Sequence, residues 1–203
     1  MTAGDGAEFL RGRPRNGNCV DIPLCAADGT GFDCVSMGLG WDAVRRSAFG
    51  SARRDIDLNA SALLFSGFSL VDVVYHEQLI SQDGSVRHHG DSVTGEGVGD
   101  IEVITVDLTR LSPAVTSVFL LVTSYSGQSF TAVGNAFCRL VDAGSGAEIV
   151  RYELSERPST GLVMGALHRN DIVWRFHEIA TDIAAQHPVE AVGGLTDYLR
   201  GSP

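Results

Sequence analysis

Lysine is missing altogether: all 15 basic residues of this 203-residue chain are arginine. Schiff-base and lysine-nucleophile chemistry are therefore excluded. Positive charge is scarce beside 25 acidic residues, and the net charge of −10 argues against nucleic-acid binding, because the phosphate backbone would be repelled. Long apolar runs are also lacking. The N-terminus has no stretch of signal-peptide length, and nothing approaches the ~18 apolar residues of a membrane-spanning helix. These absences predict a cytoplasmic protein with no direct membrane insertion. The four cysteines, Cys19, Cys25, Cys34 and Cys138, form no C-x-x-C pair, which argues against structural zinc, and in that compartment they count as reduced. Cys138, within Ala136-Phe137-Cys138-Arg139-Leu140, reads as a small buried hydrophobe. A G-x-S-x-G nucleophile elbow is absent as well.

What the chain does have is acid on glycine. Between Asp91 and Glu102, four acidic residues (Asp91, Glu96, Asp100, Glu102) share twelve positions with Gly95, Gly97 and Gly99. Glycine reaches backbone conformations closed to other residues, so such a loop can fold back and turn carboxylates and carbonyls toward one point. Oxygen-only donors suit a hard divalent cation, calcium above all. A polar hairpin loop with solvated charges is the alternative. The segment has the length of an EF-hand loop, but Val93 and Gly95 stand where oxygen side chains are needed and Glu96 replaces the central glycine. Its G-x-G-x-G spacing is not a dinucleotide fingerprint, and Glu96 and Asp100 would repel a pyrophosphate. His88 and His89 beside Asp91 invite a zinc reading, but adjacent strand residues face opposite sides.

A second acidic element precedes it. Asp55-Ile56-Asp57-Leu58-Asn59-Ala60-Ser61-Ala62 alternates polar and apolar residues, the pattern of a half-buried strand. Asp55, Asp57, Asn59 and Ser61 then share one face, with side chains two apart standing about 6.6 Å from each other. Two leaning carboxylates can meet across one ion whose bonds to oxygen are about 2.4 Å. Arg53 and Arg54 could instead supply the counter-charge. Trp41 reads as a packing residue, and Asp42 is a further candidate oxygen.

Short strand-like runs recur along the chain: Val20–Ile22, Cys34–Leu39, Asp55–Leu64, Val71–Val74, Ile101–Leu108, Val115–Thr123, Ala136–Val141, Ile149–Leu154 and Ile172–Glu178. Asp28-Gly29-Thr30-Gly31, Asp83-Gly84 and Ala143-Gly144-Ser145-Gly146 mark tight connections. Val118 to Val122 is apolar throughout, so it reads as a strand covered on both faces. The fold class this predicts is mainly all-β, an antiparallel β-sandwich with a few short helices. One helix is expected at the C-terminus, opened by Pro188, with Val189, Val192, Leu195 and Leu199 at helical spacing and Gly201 ending it. Residues 1–16 read as a flexible N-terminal arm, and 17–203 as the sandwich domain with its helical extension.

Here the residues form a familiar series. Gly38-Leu39-Gly40-Trp41-Asp42, Asp55 to Ala62, Gly90 to Glu102, Gln128-Ser129-Phe130 with Asn135-Ala136-Phe137, and Ala147-Glu148-Ile149 with Arg151 to Ser155 resemble, in that order, the TerD family of tellurium-resistance and stress-response proteins. The resemblance covers residues 17–180. It implies a calcium-binding β-sandwich without catalytic activity that works beside other stress-response or membrane-associated tellurium-resistance proteins. This chain departs from the family pattern at Asn59, where a third Asp is common, and at Asp100-Ile101, where two consecutive acids are common. The segment before Gln128 is also shorter and lacks an acid. Fewer ligand charges imply weaker calcium binding, or one site in place of two.

The expected metal set is Asp55, Asp57, Asp91, Glu96, Asp100 and Glu102 by their side chains, with Gly95 or Gly97 offering carbonyl oxygens. The expected role is a non-enzymatic, calcium-responsive protein that presents a metal-dependent surface to partners. Its rivals are a metal-independent interaction module and a metal-dependent hydrolase, for which no acid or base partner is evident.

Overall fold

An unbroken apolar run needs cover on both faces, and the architecture supplies it. The computed structural model describes residues 20–43, 56–95, 97, 99–170 and 173–200. Among these lie eleven strands: β1 (Asp21–Pro23), β2 (Cys34–Gly40), β3 (Leu58–Ser66), β4 (Ser69–Val74), β5 (Val86–His88), β6 (Glu102–Asp107), β7 (Ser117–Ser124), β8 (Phe137–Asp142), β9 (Glu148–Glu153), β10 (Gly161–Asn170) and β11 (Val173–Ile183). A 3-10 turn at Pro188–Ala191 leads into the single described α-helix, α1 (Val192–Arg200). The strands form two antiparallel sheets, a six-stranded one in the order β1-β11-β10-β7-β3-β4 and a five-stranded one in the order β5-β6-β2-β8-β9.

β7 sits inside the larger sheet, paired with β3 and β10. Val118, Leu120 and Val122 join the main core with Val35, Met37, Leu39, Ile104 and Val106 of the smaller sheet. Phe119 and Leu121 point the other way into a second cluster with Leu63, Phe65, Ala191 and Leu195, under the C-terminal turn and helix. Burying a side chain of this size contributes roughly 1.5–3 kcal/mol, so a layer on each face of β7 is a large share of the fold's stability. The all-β sandwich with a C-terminal helix is therefore the observed fold. Cys138 is fully buried, and burial raises its thiol's proton affinity.

The structure departs from the sequence expectations in instructive places. β10 was not expected, because Gly161, Gly165, Met164 and Ala166 carry little strand preference. It forms because β7 and β11 flank it on both sides, with a register shift between Val163 and Gly165. β5 has only three residues, too few for a pattern. β3 begins at Leu58 instead of Asp55, and β11 runs to Ile183, past the expected Glu178. The face of β3 expected to be half-exposed is buried: Ile56, Leu58, Ala60 and Ala62 enter the main core, yet Asn59 and Ser61 are no more than 1% exposed on the opposite face. The expected N-terminal arm, Asp55, Glu96, Ile172 and Gly201 lie outside the described residues. Among the described residues no helix is long and apolar enough to cross a membrane.

The tight connection at Asp83-Gly84 shows local chemistry at work. Gly84 takes φ +72°, in the left-handed region that favours glycine. The Asp83 carboxylate accepts from Ser81 Oγ (2.8 Å), Ser85 N (3.0 Å), Ser85 Oγ (2.6 Å) and Ser112 N (3.2 Å). Burial pushes its pKa up, but these donors outweigh burial and bring it down to about 2. A depressed acid contributes stability above its unfolded pKa and loses it as pH falls through the folded value. Asp83→Asn is expected to cost about 1 kcal/mol at neutral pH, given how exposed and screened the group is. In urea denaturation series the deficit should shrink between about pH 4 and about pH 2.

Candidate functional site

The acidic loop rests on a floor without β-carbons. A Cβ at Gly38 would lie 2.3 Å from Asp100 Cγ, and one at Gly40 would lie 2.4 Å from Gly99 O. Ile101 N–H donates to Leu39 O at 2.7 Å, which pins the end of the loop to β2. Gly95 takes φ +69°, and a Cβ there would lie 2.2 Å from Trp41 Nε1. Trp41 Nε1–H donates to Ile56 O at 3.2 Å. The indole is thus packed between the loop and the entry to β3. The run Gly38-Leu39-Gly40-Trp41 reads, in space, as the seat of the loop.

Both ends of the loop are held by side chains that the sequence assigned to the metal. Glu102, 1% exposed, accepts from Ala60 N–H at 2.8 Å across the sandwich and from Ser92 N–H at 3.2 Å. His88 Nε2 lies 3.3 Å from Glu102 Oε2. Gly90 N–H donates to His88 Nδ1 at 3.2 Å, which leaves the ring proton on Nε2, toward Glu102. Burial raises the Glu102 pKa, against the pull of His88 and the two amides. Asp100 pairs with Arg139 through two bonds of 2.9 Å, Nε to Oδ1 and Nη2 to Oδ2. Ile101 packs partly buried against the main core, so no second loop acid stands there. Its side chain also fills the place a Cβ on Gly97 would take, with Cδ1 2.6 Å away.

Asp57 and Asp91 are brought together differently. Asp57 is half-buried, its N–H donates to Ser126 Oγ at 3.1 Å, and its carbonyl accepts from Tyr125 N–H at 2.9 Å. Burial raises its carboxyl pKa, and the charge of Asp91 raises it further. Asn59 Nδ2–H donates to Asp57 Oδ1 at 2.9 Å, and His76 also works against the rise. Asn59 Oδ1 is buried and meets no donor. Asp57 and Asn59 thus stand together at the start of β3, near enough to Asp91 of the loop for its charge to act on Asp57. Among the described residues no group of three or more His, Cys, Asp or Glu side chains converges as metal ligands; Asp55 and Glu96 lie outside them. Asp42 is engaged elsewhere, its Oδ2 accepting from Asn135 Nδ2 at 2.7 Å. His88 is buried and His89 exposed, on opposite faces as their spacing requires.

Sequence reasoning missed Arg139 and His88 as partners of the loop acids. Arg139 carries no local sign of its role, since it lies 39 residues from Asp100. The Tyr125-Ser126 turn that fastens Asp57 was equally silent.

A two-sheet β-sandwich carrying a glycine-seated acidic loop is thus the class that fold and site define. Residues 21–186 match the TerD domain, and the chain belongs to that family. It is 44% identical over 149 residues to tellurium resistance protein TerZ of Serratia marcescens, covering 70% of this chain and 76% of that one. It is 32% identical over 161 residues to general stress protein 16U of Bacillus subtilis (strain 168), covering 74% of this chain and 81% of that one. The fold is shared with the crystal structure of a homologue of telluride resistance protein (TerD) from Streptomyces coelicolor A3(2). The TM-score there is 0.69 at 24% identity, over 80% of this chain and 96% of that one.

Gly95→Ala is expected to cost about 1–3 kcal/mol, because a side chain there meets both the left-handed backbone and the Trp41 ring. Thermal melts and tryptophan fluorescence report this; an unshifted melt with an unchanged spectrum would show that Trp41 and Gly95 do not seat the loop.

Proposed function

We propose that the Asp57–Asp91 corner binds calcium in this tellurium-resistance and stress-response family member, and that the chain acts without catalysis, as a calcium-responsive surface. The carrying observation is Asp57 itself. A carboxyl group both half-buried and under the charge of a second carboxylate favours its proton, unless a cation takes the proton's place. The buried, unpartnered Asn59 Oδ1 beside it adds a neutral oxygen. These donors fit a hard cation, and oxygen ligands of irregular arrangement suit calcium better than the octahedral demands of magnesium. The residues that would hold the ion are Asp57, Asp91 and Asn59, the carbonyls of Gly95 or Gly97, and Asp55 and Glu96. Asp100 and Glu102 would then act one layer out, holding the loop in place.

A bound calcium would supply positive charge that joins loop to strand. Val93 and Tyr125, 56% and 51% exposed, stand on the two loops that form the corner. Ordering those loops would order two apolar side chains on the surface, which supports a docking role toward other stress-response or membrane-associated tellurium-resistance proteins. The acidic composition supports a cytoplasmic place for this work.

Calorimetric titration of chelator-stripped protein tests the reading. Calcium at about a hundredfold excess over its Kd should raise stability by roughly 2.7 kcal/mol, and magnesium should bind more weakly. Asp57→Asn and Asp91→Asn should each abolish the effect. Silent titrations and an unmoved melting temperature would sink the proposal. Asn59→Asp adds a carboxylate and removes the amide bond to Asp57, so it should lower metal-free stability and strengthen calcium binding. If affinity is unchanged, Asn59 does not face the ion.

A further inference from the structure

At the end of the smaller sheet opposite the acidic loop lies a mostly apolar hollow of about 500 Å³, within the size range of small-molecule sites. Cys34 at the start of β2 and Thr105 of β6 line its base. The turn that carries Thr30 and Phe32 lines one side, and the turn of Asp142 and Ala143 lines the other. Both turns are fastened by the backbone. Ala26 N–H donates to Thr30 O at 2.8 Å, and Ala143 N–H donates to Cys34 O at 3.1 Å. The hollow therefore exists before anything enters it.

Its charge is of one sign. Asp33 and Asp142 line it, and Asp107 stands opposite Cys34 in register. Asp142 accepts from Gly144 N–H at 3.0 Å, from Ser145 N–H at 3.1 Å and from Ser145 Oγ. Asp107 Oδ1 accepts from Thr109 N–H at 3.0 Å, Thr109 Oγ1 at 2.6 Å and Arg110 N–H at 3.1 Å. These donors are neutral, so they fix the carboxylates without cancelling their charge. Asp33 is held by its main-chain oxygen, which accepts from Leu108 N–H at 2.8 Å, and its side chain is exposed. Among the described residues no arginine lines the hollow. The Ser145 hydroxyl and the Gly144 amide keep the Asp142 pKa below the usual carboxylate range. The Cys34 thiol registers the field: burial raises its pKa, and Asp107, Asp33 and Asp142 raise it further.

We propose that this hollow binds an organic ammonium ion, a small polyamine, with its charge at the Asp33 and Asp142 carboxylates and its carbon chain along Phe32 and Cys34. Sign and shape select this class. Uncompensated carboxylates at a concave, partly apolar surface concentrate cations and repel anions. No three of the described acids, histidines or cysteines converge as ligands of a bare metal ion, and the volume is far larger than such an ion fills. The Phe32 ring gives an ammonium group an aromatic face and its stem an apolar one.

The probe is spermidine, titrated into the nitrogen-15-labelled full chain at constant ionic strength. Chelator in the buffer keeps the result independent of calcium. Amide shifts at Thr30, Phe32, Cys34 and Thr105 should move and saturate while those of β7 stay in place. Asp33→Asn should weaken binding about fivefold, the loss of one exposed ion pair, and leave the melting temperature unchanged. Phe32→Leu keeps apolar bulk without the aromatic face and should weaken binding about threefold. Magnesium at the same concentration should not displace the spermidine. Shifts that never saturate or spread over the whole surface would overturn the proposal. So would an unchanged affinity in Asp33→Asn, or displacement by magnesium, since either leaves only attraction to net charge. Should a variant fail to fold, the shifts and the magnesium competition of the unaltered protein decide the matter.

Discussion

A single carboxylate, that of Glu102, ties together the parts on which the site depends. It sits between the two sheets and is met by the Ala60 amide from β3, the Ser92 amide from the loop and the His88 ring from β5. An ionised group in such surroundings is costly unless each lone pair finds a donor. Here the donors come from three separate stretches of chain. Taking the carboxylate away would orphan two buried or half-buried amides and an imidazole, a loss of about 1–3 kcal/mol for each buried group left unmet. β4 begins to pair with β3 only at Ala62, so Glu102 also serves a β3 amide in the stretch that β4 does not reach.

With the start of the loop held at Ser92 and its end at Leu39, its middle is set by contact with the floor. Gly38 makes room for the Asp100–Arg139 pair, and Gly95 makes room for the Trp41 ring. The acids that looked equivalent in sequence thus divide into two kinds. Asp100 and Glu102 are spent on protein partners that shape the loop. Asp57 has only the neutral Asn59 amide to answer its charge while that of Asp91 acts against it, and a cation would relieve their mutual repulsion. Charge that is neutralised within the fold builds the site, and charge left facing charge gives it something to do.

The larger sheet shows the same economy on its outer face. The polar side of β3 is covered because the C-terminal turn and α1 bring Ala191 and Leu195 against Phe65, Phe119 and Leu121. Asn59, Ser61 and Thr123 are buried along with this apolar group, each with an atom that lacks a hydrogen-bond partner. At the far edge Asp21 and His168 repeat the pattern, each with a buried atom that lacks a hydrogen-bond partner. Polar groups buried without full satisfaction thus lie toward both ends of one face.

The sequence by itself determined the class of fold and the identity of the acidic elements. Alternation and the apolar run at Val118 to Val122 are local consequences of strand geometry, so they could be read without knowing any partner. The Asp91 to Glu102 loop was legible because glycine and carboxylate combine in few other ways. β10 was not legible, since its residues prefer nothing strongly and become a strand only between β7 and β11. Nor could the sequence tell Asp57 from Glu102. Whether a carboxylate meets an amide, an arginine or another carboxylate depends on chain segments tens of residues away. Tertiary structure alone decides that, because desolvation and pairing energies depend on distance in space and not on position along the chain.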